Sequence, residues 1–370
     1  MSEQSAAQPA VTQGRLVIQA ALRTDVGLVR SENQDFGTYT SPAEEKDAHP
    51  GGRLLVVADG MGGHRGGATA SRLAGETVKT QYLGSETEDV GDALRDSLQR
   101  ANSRIFQEAQ ANPDLRGMGT TTSALAIRDE NGWFAHVGDS RIYRVRGNAI
   151  EQLTDDHSLV ATMVREGLLT TKEAETHPRR NVLQRSMGVA EDVEVDVKGP
   201  FDVQEGDTFI LCSDGLHGLV KEDEMLEVAK QAIDAAADEF VKRALERGAP
   251  DNVTVIVARA IRAMPGDDDV TLLDHKRAEK TQEIAAAQVP TEPIPKLDPP
   301  VEKASEPEAD VSAPPPDRGP TTPLGMTSSG GGILKWMLIV VLVAGAAGAW
   351  LYWNHQQGMG TSRSTPTSNR

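Results

Sequence analysis

The sequence is poor in cysteine and in aromatic residues, and its basic residues are outnumbered by acidic ones. A single cysteine in 370 residues, Cys212, excludes a disulfide within the chain and a zinc site built from cysteines. Aromatic residues make up 4% of the chain, so aliphatic side chains must dominate the core. Lys and Arg number 38 against 55 Asp and Glu, which gives a net charge of −17. This balance argues against a nucleic-acid-binding protein, because such a protein needs a basic surface.

Proline and apolar residues are unevenly distributed along the chain. Residues 1–14 contain no apolar run, so we expect a disordered N-terminus without a secretory signal peptide. From 15 to 262 proline is scarce and apolar residues recur regularly, which predicts one folded domain. Residues 263–332 hold 12 of the 20 prolines, with 13 acidic and 6 basic residues. We expect a disordered linker there, because the segment has too little apolar surface to offset its ordering entropy.

Residues 333–353 form an apolar run with one charge at its edge. A helix of this length can cross a hydrocarbon core of roughly 30 Å. Trp336 lies near one end, and three aromatic residues suited to the membrane interface lie near the other: Trp350, Tyr352 and Trp353. The run predicts a single transmembrane helix followed by a short polar tail, 354–370; the alternative is a buried core helix. Without a signal peptide, we expect the N-terminal portion to remain in the cytoplasm of a single-pass cell-membrane protein.

The region 15–262 mixes strand and helix patterns. Apolar residues at helical spacing predict helices around 90–105 and 225–245. The pair Asn131-Gly132 predicts a hairpin turn. Hairpins mixed with helices favour an α+β fold with antiparallel sheets covered by helices over a doubly wound parallel sheet. Six segments have strand character: Leu54–Ala58, Thr121–Arg128, Gly132–Val137, Arg141–Arg146, Thr208–Cys212 and Asn252–Ala260.

Five aspartates stand beside predicted strand ends or glycines: Asp35, Asp59, Asp139, Asp214 and Asp251. A carboxylate at the end of a buried strand points toward the rim of the sheet, where several can converge. Converging carboxylates repel one another unless they share protons or bind cations. Ligand sets made only of oxygen suit Mg²⁺ or Mn²⁺. Any one of these aspartates alone is most simply a turn residue, but the five together indicate a metal site.

Several ordered motifs give the chain a specific resemblance. From about Leu16 to Ala260 it resembles the metal-dependent (PPM, type 2C) Ser/Thr protein phosphatases, and the segments Leu153–Leu159 and His177–Leu183 are typical of their bacterial branch. The resemblance implies a β-sandwich of two antiparallel sheets flanked by helices on both sides, with a binuclear Mn/Mg centre at one end. It rests on these motifs: Arg30-x-x-Asn-Gln-Asp35, Asp59-Gly-Met-Gly-Gly-His64, Gly117-Met-Gly-Thr-Thr121, Gly138-Asp-Ser-Arg141, Ser213-Asp-Gly-Leu216 and Asp251-Asn252.

The resemblance also implies the metal ligands. Asp59 would bridge both cations, and the carbonyl of Gly60 would help bind the second. Asp214 and Asp251 would complete the first cation's ligands, and Asp35 would support the second, largely through water. The implied reaction is in-line attack on the phosphorus of phosphoserine or phosphothreonine by a water that bridges the two cations.

The same resemblance implies roles for further residues. Asp139 is similar to the family's ligand for a third, weaker cation. Arg30 would clamp the substrate phosphate, a role that suits its planar fork of donors. His64 is either a proton donor to the leaving group or a residue that orders the glycine loop and the metal-associated waters. His157 and His217 are interpreted as structural.

A polar and basic segment, residues 156–187, resembles the family's flap, which lies beside the active site and influences substrate choice. We call residues 156–187 the flap. The alternative interpretation of this segment is a solvated pair of surface helices.

The sequence therefore predicts a membrane-tethered bacterial Ser/Thr phosphatase with a cytoplasmic catalytic domain. Its implied partners are phosphoserine and phosphothreonine proteins, a eukaryotic-like Ser/Thr kinase with its substrates, and the membrane. Two alternatives remain at this point. One is a catalytically inactive module that binds phosphoproteins, and the other is an enzyme restricted to one phosphoprotein of the anti-sigma-antagonist type.

Overall fold

The computed structural model describes residues 14–41, 44, 51–63 and 66–263. All of the described residues belong to one compact unit. Within the described ranges, no helix combines the length and apolar character needed to cross a membrane. Residues 1–13 of the predicted N-terminal segment 1–14, residues 264–332 of the predicted linker, the predicted transmembrane helix at 333–353 and the tail at 354–370 lie outside the described residues, as does His64.

Two antiparallel sheets form the frame of the described domain. The first has five strands in the order β1-β11-β10-β7-β8, and the second runs β2-β3-β5-β6-β9 with β4 paired to β3. The strands are β1 (Arg15–Asp25), β2 (Asp35–Tyr39), β3 (Arg53–Met61), β4 (Gly119–Thr120), β5 (Thr122–Arg128), β6 (Asn131–Val137), β7 (Arg141–Arg146), β8 (Ala149–Gln152), β9 (Asp196–Asp202), β10 (Thr208–Cys212) and β11 (Val253–Ala263).

Helices cover the outer faces of both sheets. Two long helices pack on the second sheet, and helices from the C-terminal half of the domain pack on the first. Two short helices lie in the flap. The helices are α1 (Gly66–Leu83), α2 (Val90–Ala111), α3 (Leu159–Arg165), α4 (Thr171–Glu175), α5 (Asp214–His217), α6 (Glu222–Val228) and α7 (Ile233–Glu246), and a 3₁₀ turn spans Pro113–Leu115.

The core lies between the sheets and under the helices. Alternate residues of β1, among them Ile18, Ala20 and Leu22, face strands of the second sheet. The helix α2 buries one stripe, with Leu94, Leu98 and neighbouring apolar residues against the second sheet, because apolar residues recur at helical spacing. Aliphatic packing dominates the core, as the shortage of aromatic residues requires.

Most predicted elements are confirmed, with two differences. The α+β sandwich flanked by helices and all six predicted strands are present, and Arg141–Arg146 and Thr208–Cys212 have the predicted bounds. The hairpin turn lies at Asp129 and Glu130 rather than at Asn131-Gly132, which belong to β6. Asp129 has φ 56°, a left-handed conformation that Asp tolerates. The periodic stretch around 225–245 forms two helices, α6 and α7, and not one.

Strand pairing brings the predicted site residues to one end of the sandwich. In antiparallel pairs, the start of one strand lies beside the end of its neighbour. The start of β2 therefore meets the end of β3, and the end of β10 meets the starts of β7 and β11. The ends of β6 and β3 and the start of β5 lie at the same end.

Candidate active site

Asp35 and Asp59 lie opposite each other on β2 and β3. Directly opposed residues of an antiparallel pair project from the same face of the sheet, so the two carboxyl groups are neighbours. Asp35 is only 3% exposed, and its Oδ2 accepts a hydrogen bond from the Ser213 hydroxyl at 2.7 Å. The backbone of Asp59 is held by Thr121, whose hydroxyl accepts from the Asp59 N–H at 3.0 Å and whose own N–H donates to the Asp59 carbonyl at 2.9 Å.

Asp214 follows β10 and is the first residue of α5. Its charge contributes, after burial and the charge of Asp35, to the raised pKa of Asp59, so carboxyl groups at the ends of strands from the two sheets are neighbours. Ser213, the residue before it, donates to Asp35 and accepts from the Thr254 N–H at 3.1 Å. The Ser213-Asp214 step therefore connects β10, β11 and β2 at the site.

Asn252 fixes the loop that carries Arg30. Its Nδ2 donates to the carbonyls of Val26 and Glu32 at 2.9 Å each, and its Oδ1 accepts from the N–H of Gln34 at 2.8 Å. The side chain of Asn252, which is 5% exposed, thus connects the β1–β2 loop to the start of β11. The sequence motif marked Asn252, but its contacts to residues more than 200 positions away could not be predicted from it.

Arg30 forms an ion pair with Asp251. Its Nη2 donates to Asp251 Oδ2 at 2.7 Å, with the Arg30 side chain 50% and the Asp251 side chain 32% exposed. The hydrogen bond that Arg30 donates to Asp251 is the main cause of the raised pKa of Arg30, so the guanidinium stays charged. The predicted phosphate clamp and one predicted metal ligand are therefore in direct contact. Since exposed ion pairs contribute little to stability, Arg30 can exchange Asp251 for another anion at small cost.

Asp139 lies on the turn between β6 and β7. The Ser140 hydroxyl is 2.6 Å from the hydroxyl of Thr121, which also contacts Asp59, so the two carboxyl-bearing loops share one hydroxyl network. The carbonyl of Asp139 is 3.0 Å from Nε2 of His217, which donates to it. His217 thus supports the backbone of this turn, which agrees with the structural interpretation of that residue.

The aspartates at this end have raised pKa values. Burial raises the pKa of Asp35 and of Asp139 to about 7 each, and nearby carboxylates add to the effect. Burial, followed by the charge of Asp35, raises the pKa of Asp59 well above its usual range. Burial and the charge of Asp251 raise the pKa of Asp214. In each case burial is the main cause, because it disfavours the ionised carboxylate, and repulsion by neighbouring carboxylates adds to it.

This donor set fits hard divalent cations. Within ranges 14–41, 44, 51–63 and 66–263, no three His, Cys, Asp or Glu side chains form a ready-made compact ligand group. The predicted aspartates are nevertheless neighbours: Asp35 opposes Asp59, and the charges of Asp59, Asp214 and Asp251 act on one another. Carboxylates in such proximity require protons or cations, and carboxylate oxygens are the ligands that Mn²⁺ and Mg²⁺ accept.

Gly60 occupies a position where no side chain fits. A Cβ there would lie 2.1 Å from the Gly67 carbonyl oxygen and 2.5 Å from that of Gln34. The Gly60 N–H donates to the same Gln34 carbonyl at 3.0 Å. The glycine therefore permits close approach of the end of β3, the loop before β2 and the start of α1. The predicted role of its carbonyl as a metal ligand stays a prediction, and so does the role of His64, which lies outside the described residues.

The flap contains α3 and α4, so it is a pair of short surface helices, as one interpretation proposed. It also lies beside the Asp139 turn, since the N–H of His157 donates to the Gly138 carbonyl at 2.7 Å. The position of the segment agrees with both interpretations, and its influence on substrate choice stays a prediction. Four of its basic side chains are exposed: Arg165, Lys172, Arg179 and Arg180.

Comparisons with known proteins agree on one family. Residues 32–248 match the sequence model described as protein phosphatase 2C. The chain is 40% identical over 256 residues to the serine/threonine phosphatase stp of Listeria monocytogenes, covering 67% of this chain and 98% of that protein. It is 35% identical over 286 residues to the serine/threonine protein phosphatase PstP of Mycobacterium tuberculosis, covering 73% of this chain and 52% of that one.

Solved structures are similar over the same region. The crystal structure of M. tuberculosis PstP has a TM-score of 0.60 at 34% identity, covering 67% of this chain and all of that chain. The catalytic domain of PstP in complex with two manganese ions has a TM-score of 0.58 at 33% identity, covering 66% of this chain and 99% of that chain. Stp1 of Staphylococcus aureus has a TM-score of 0.61 at 30% identity, covering 68% and 99%.

Proposed function

Because the chain belongs to the protein phosphatase 2C family and is a protein Ser/Thr phosphatase, we propose that it hydrolyses phosphoserine and phosphothreonine with two Mn²⁺ or Mg²⁺ ions at the end of its sandwich. The ligands in this proposal are the carboxylates of Asp35, Asp59, Asp214 and Asp251 and the carbonyl of Gly60. Asp139 would hold a third, weaker cation. The similarity to the manganese complex of PstP supports the choice of metal.

One observation carries this proposal: the opposed Asp35 and Asp59 form, with the nearby Asp214, a group of largely buried and mutually repelling carboxyl groups. When bound, the two cations would activate a water as nucleophile and neutralise charge on the phosphoryl oxygens. Hydrogen bonds to neighbouring residues hold Asp35 and Asp59 in place. Asp35 is oriented by the Ser213 hydroxyl, and Asp59 by the hydroxyl and N–H of Thr121.

Arg30 supplies the substrate contact in this proposal. Its guanidinium is charged, half-exposed and held at the rim of the site by Asp251. A phosphate dianion offers the planar fork a stronger partner than one carboxylate oxygen, because a phosphate can accept two parallel hydrogen bonds. Arg30 would turn from Asp251 to the phosphate and leave Asp251 free to serve as a ligand.

The cellular setting is also part of the proposal. The apolar run 333–353 supports a single-pass membrane anchor, with the catalytic domain in the cytoplasm and the segment 263–332 as a flexible tether. The substrates would be phosphoproteins, among them those of a eukaryotic-like Ser/Thr kinase. A tether of this kind raises the effective concentration of the enzyme toward membrane-bound substrates.

The decisive experiment measures phosphate release by the full chain in detergent from a panel of unrelated phosphothreonine peptides. We expect release with Mn²⁺, none in EDTA, and loss of nearly all activity in Asp59→Asn, because that variant lacks the carboxylate assigned to both cations. The matched control is Asp96→Asn, an exposed aspartate on α2 that should behave as the unmodified chain.

The outcomes separate the alternatives. Full activity in EDTA would refute the metal-dependent reaction. Binding of phosphopeptides without hydrolysis would favour the inactive binding module, and hydrolysis of a single phosphoprotein with no activity on the panel would favour the narrow enzyme.

A further inference from the structure

The two ends of the flap pair with each other in a short stem. Ser158 and Leu183 form an isolated antiparallel bridge. The N–H of Leu159 donates to the Val182 carbonyl at 2.8 Å, and the N–H of Gln184 donates to the His157 carbonyl at 2.7 Å. Movement of the flap relative to the sandwich must therefore occur at the base of this stem, where His157 and Arg185 lie.

Nδ1 of His157 has one hydrogen-bonding neighbour, and Nε2 has two, Asp196 Oδ2 and, at 3.4 Å, Arg185 Nη1. Its Nδ1 accepts from the backbone N–H of Gly138 at 3.1 Å, so Nδ1 carries no proton. Its Nε2, which must then carry the proton, donates to Asp196 Oδ2 at 3.1 Å. The side chain is 4% exposed, and burial lowers the pKa of His157, which keeps the imidazole in this neutral form. The neighbouring His136 ring packs against it with centroids 4.8 Å apart.

Asp196 connects both ends of the flap to β9. Its Oδ2 accepts from His157 at the first end, and its Oδ1 accepts from Arg185 Nη1 at 2.7 Å at the second end. Arg185 also pairs with Glu194 at 3.0 Å. One carboxylate on the edge strand of the second sheet thus holds the base of the stem.

The other contact of His157 is made to the turn that carries Asp139. Gly138 has φ 112°, and a Cβ there would lie 2.5 Å from Cβ of Thr121, so only glycine fits. His157 holds Gly138 at two points, through its N–H to the Gly138 carbonyl and through Nδ1 to the Gly138 N–H. His217 holds the next carbonyl, that of Asp139. The backbone that sets the Asp139 carboxylate is therefore fixed from the flap on one side and from α5 on the other.

We propose that His157 is a positioning residue that couples the flap to the Asp139 turn by two separate contacts, one ring nitrogen supporting the backbone of a cation ligand and the other supporting the base of the flap. This inference rests on the proposed function, because it assigns Asp139 to a cation and the flap to the phosphoprotein. It adds His157, a residue that contacts neither the cation nor the phosphoprotein and acts through the Gly138 N–H and through Asp196.

Two substitutions separate the two contacts of His157. In His157→Asn, Oδ1 stands at the position of Nδ1 and can accept from Gly138, but the side chain is too short to reach Asp196. In His157→Gln, the terminal amide stands at the position of Nε2 and can donate to Asp196, but nothing accepts from Gly138. Asp196→Asn is the matched control on the flap side, because it weakens the base of the stem and leaves Gly138 untouched.

The experiment compares the full chain and these variants with two substrates, a phosphothreonine peptide and p-nitrophenyl phosphate, at increasing Mn²⁺ concentrations. The amount of bound Mn²⁺ is obtained from the electron paramagnetic resonance signal of the free ion. This measurement does not depend on activity. We expect His157→Gln to require roughly 10-fold more Mn²⁺ for occupancy of the weakest site and for activity on both substrates, since lost supporting contacts weaken metal sites by about 10–100-fold.

We expect His157→Asn and Asp196→Asn to bind Mn²⁺ as the unmodified chain does. Their KM should rise, by roughly 5-fold or more, for the peptide only, because a loosened flap affects only the substrate that reaches it. The same response in His157→Asn and His157→Gln, in proportion to their melting temperatures, would overturn the coupling and leave His157 a packing residue. Unchanged peptide KM in Asp196→Asn would overturn it even if His157→Gln did not fold. Lack of Mn²⁺-dependent hydrolysis by the unmodified chain would instead refute the proposed function itself.

Discussion

At the scale of single residues, Asp35 shows how burial of a proposed cation ligand changes its pKa and the stability of the protein. Its pKa is about 7 in the folded protein because of burial, against 3.8 for an ordinary Asp. Without cations, the folded state keeps a proton that the unfolded chain releases as the pH rises from about 4 to about 7. The folded state binds more protons in that window, so this group lowers the free energy of unfolding as the pH rises.

We therefore expect Asp35→Asn to melt higher than the unmodified chain in EDTA, by on the order of 5 °C at pH 8 and by little at pH 4. The Asn side chain can still accept from Ser213, so the local hydrogen bond is kept. Thermal melts across this pH range measure the difference, with Asp96→Asn as the exposed control. Melting curves of Asp35→Asn that stay parallel to those of the unmodified chain would show that Asp35 titrates normally.

Arg30 gives a second prediction at this scale. In Arg30→Ala we expect KM for a phosphothreonine peptide to rise by about 10-fold or more, because the variant lacks the charged hydrogen bonds to the phosphate. Mn²⁺ affinity should be retained, since removal of Arg30 leaves Asp251 without a competing partner. The KM of Arg30→Lys should lie between those of the unmodified chain and Arg30→Ala, because Lys keeps the charge but lacks the planar fork.

Steady-state kinetics and Mn²⁺ titration calorimetry check this prediction. If Mn²⁺ affinity collapsed in Arg30→Ala, Arg30 would be a structural partner of Asp251 and not a substrate contact.

At the scale of elements, the end of β3 is held where three backbones meet. We expect Gly60→Ala to lower the free energy of unfolding by about 1–3 kcal/mol, because its Cβ would overlap the carbonyls of Gly67 and Gln34. Activity should fall by a larger factor than stability implies, since any shift of β3 also moves Asp59. Urea unfolding and kcat measure the two effects.

Gly63→Ala is the matched control on the same glycine loop. Within the described part of the chain, a Cβ at Gly63 would have no neighbour within 4 Å, and the φ of Gly63 lies outside the left-handed region, so that variant should be stable and active. Equal behaviour of the two alanine variants would mean that close approach at Gly60 does not position Asp59.

At the scale of the whole molecule, the described domain ends with β11 at Ala263, paired to Arg15 at the start of β1. We expect a chain that ends at residue 263 to be soluble and as active on peptides as the full chain in detergent. The full chain should sediment with membranes on ultracentrifugation, and the shortened chain should not. Full-length protein in the soluble fraction without detergent would refute the membrane anchor.

Orientation and substrate choice can be measured with the same pair of chains. A protease added to spheroplasts should leave the catalytic domain intact, and its digestion would reverse the proposed orientation. Dephosphorylation of a membrane-bound kinase should slow more than that of a soluble phosphoprotein when the anchor is removed.

The sequence by itself determined the elements and the kinds of residue at the site. Strand patterns, helical spacing and the placement of aspartates beside strand ends are local features, so they could be predicted without the fold. The sequence predicted the hairpin turn two residues too late, at Asn131-Gly132. The turn lies at Asp129 and Glu130 because Asp129 adopts a left-handed conformation, which the stronger signal of Asn131-Gly132 did not indicate.

Only the tertiary structure decided which of these residues meet. Arg30 contacts Asp251, Asn252 holds the loop of Arg30, and His157 and His217 hold the turn of Asp139. The hydrogen-bonded partners in these contacts are separated by 19 to 226 positions along the chain. They come together because the register of antiparallel strands brings their ends to one rim, and register depends on how the sheets and helices pack as a whole.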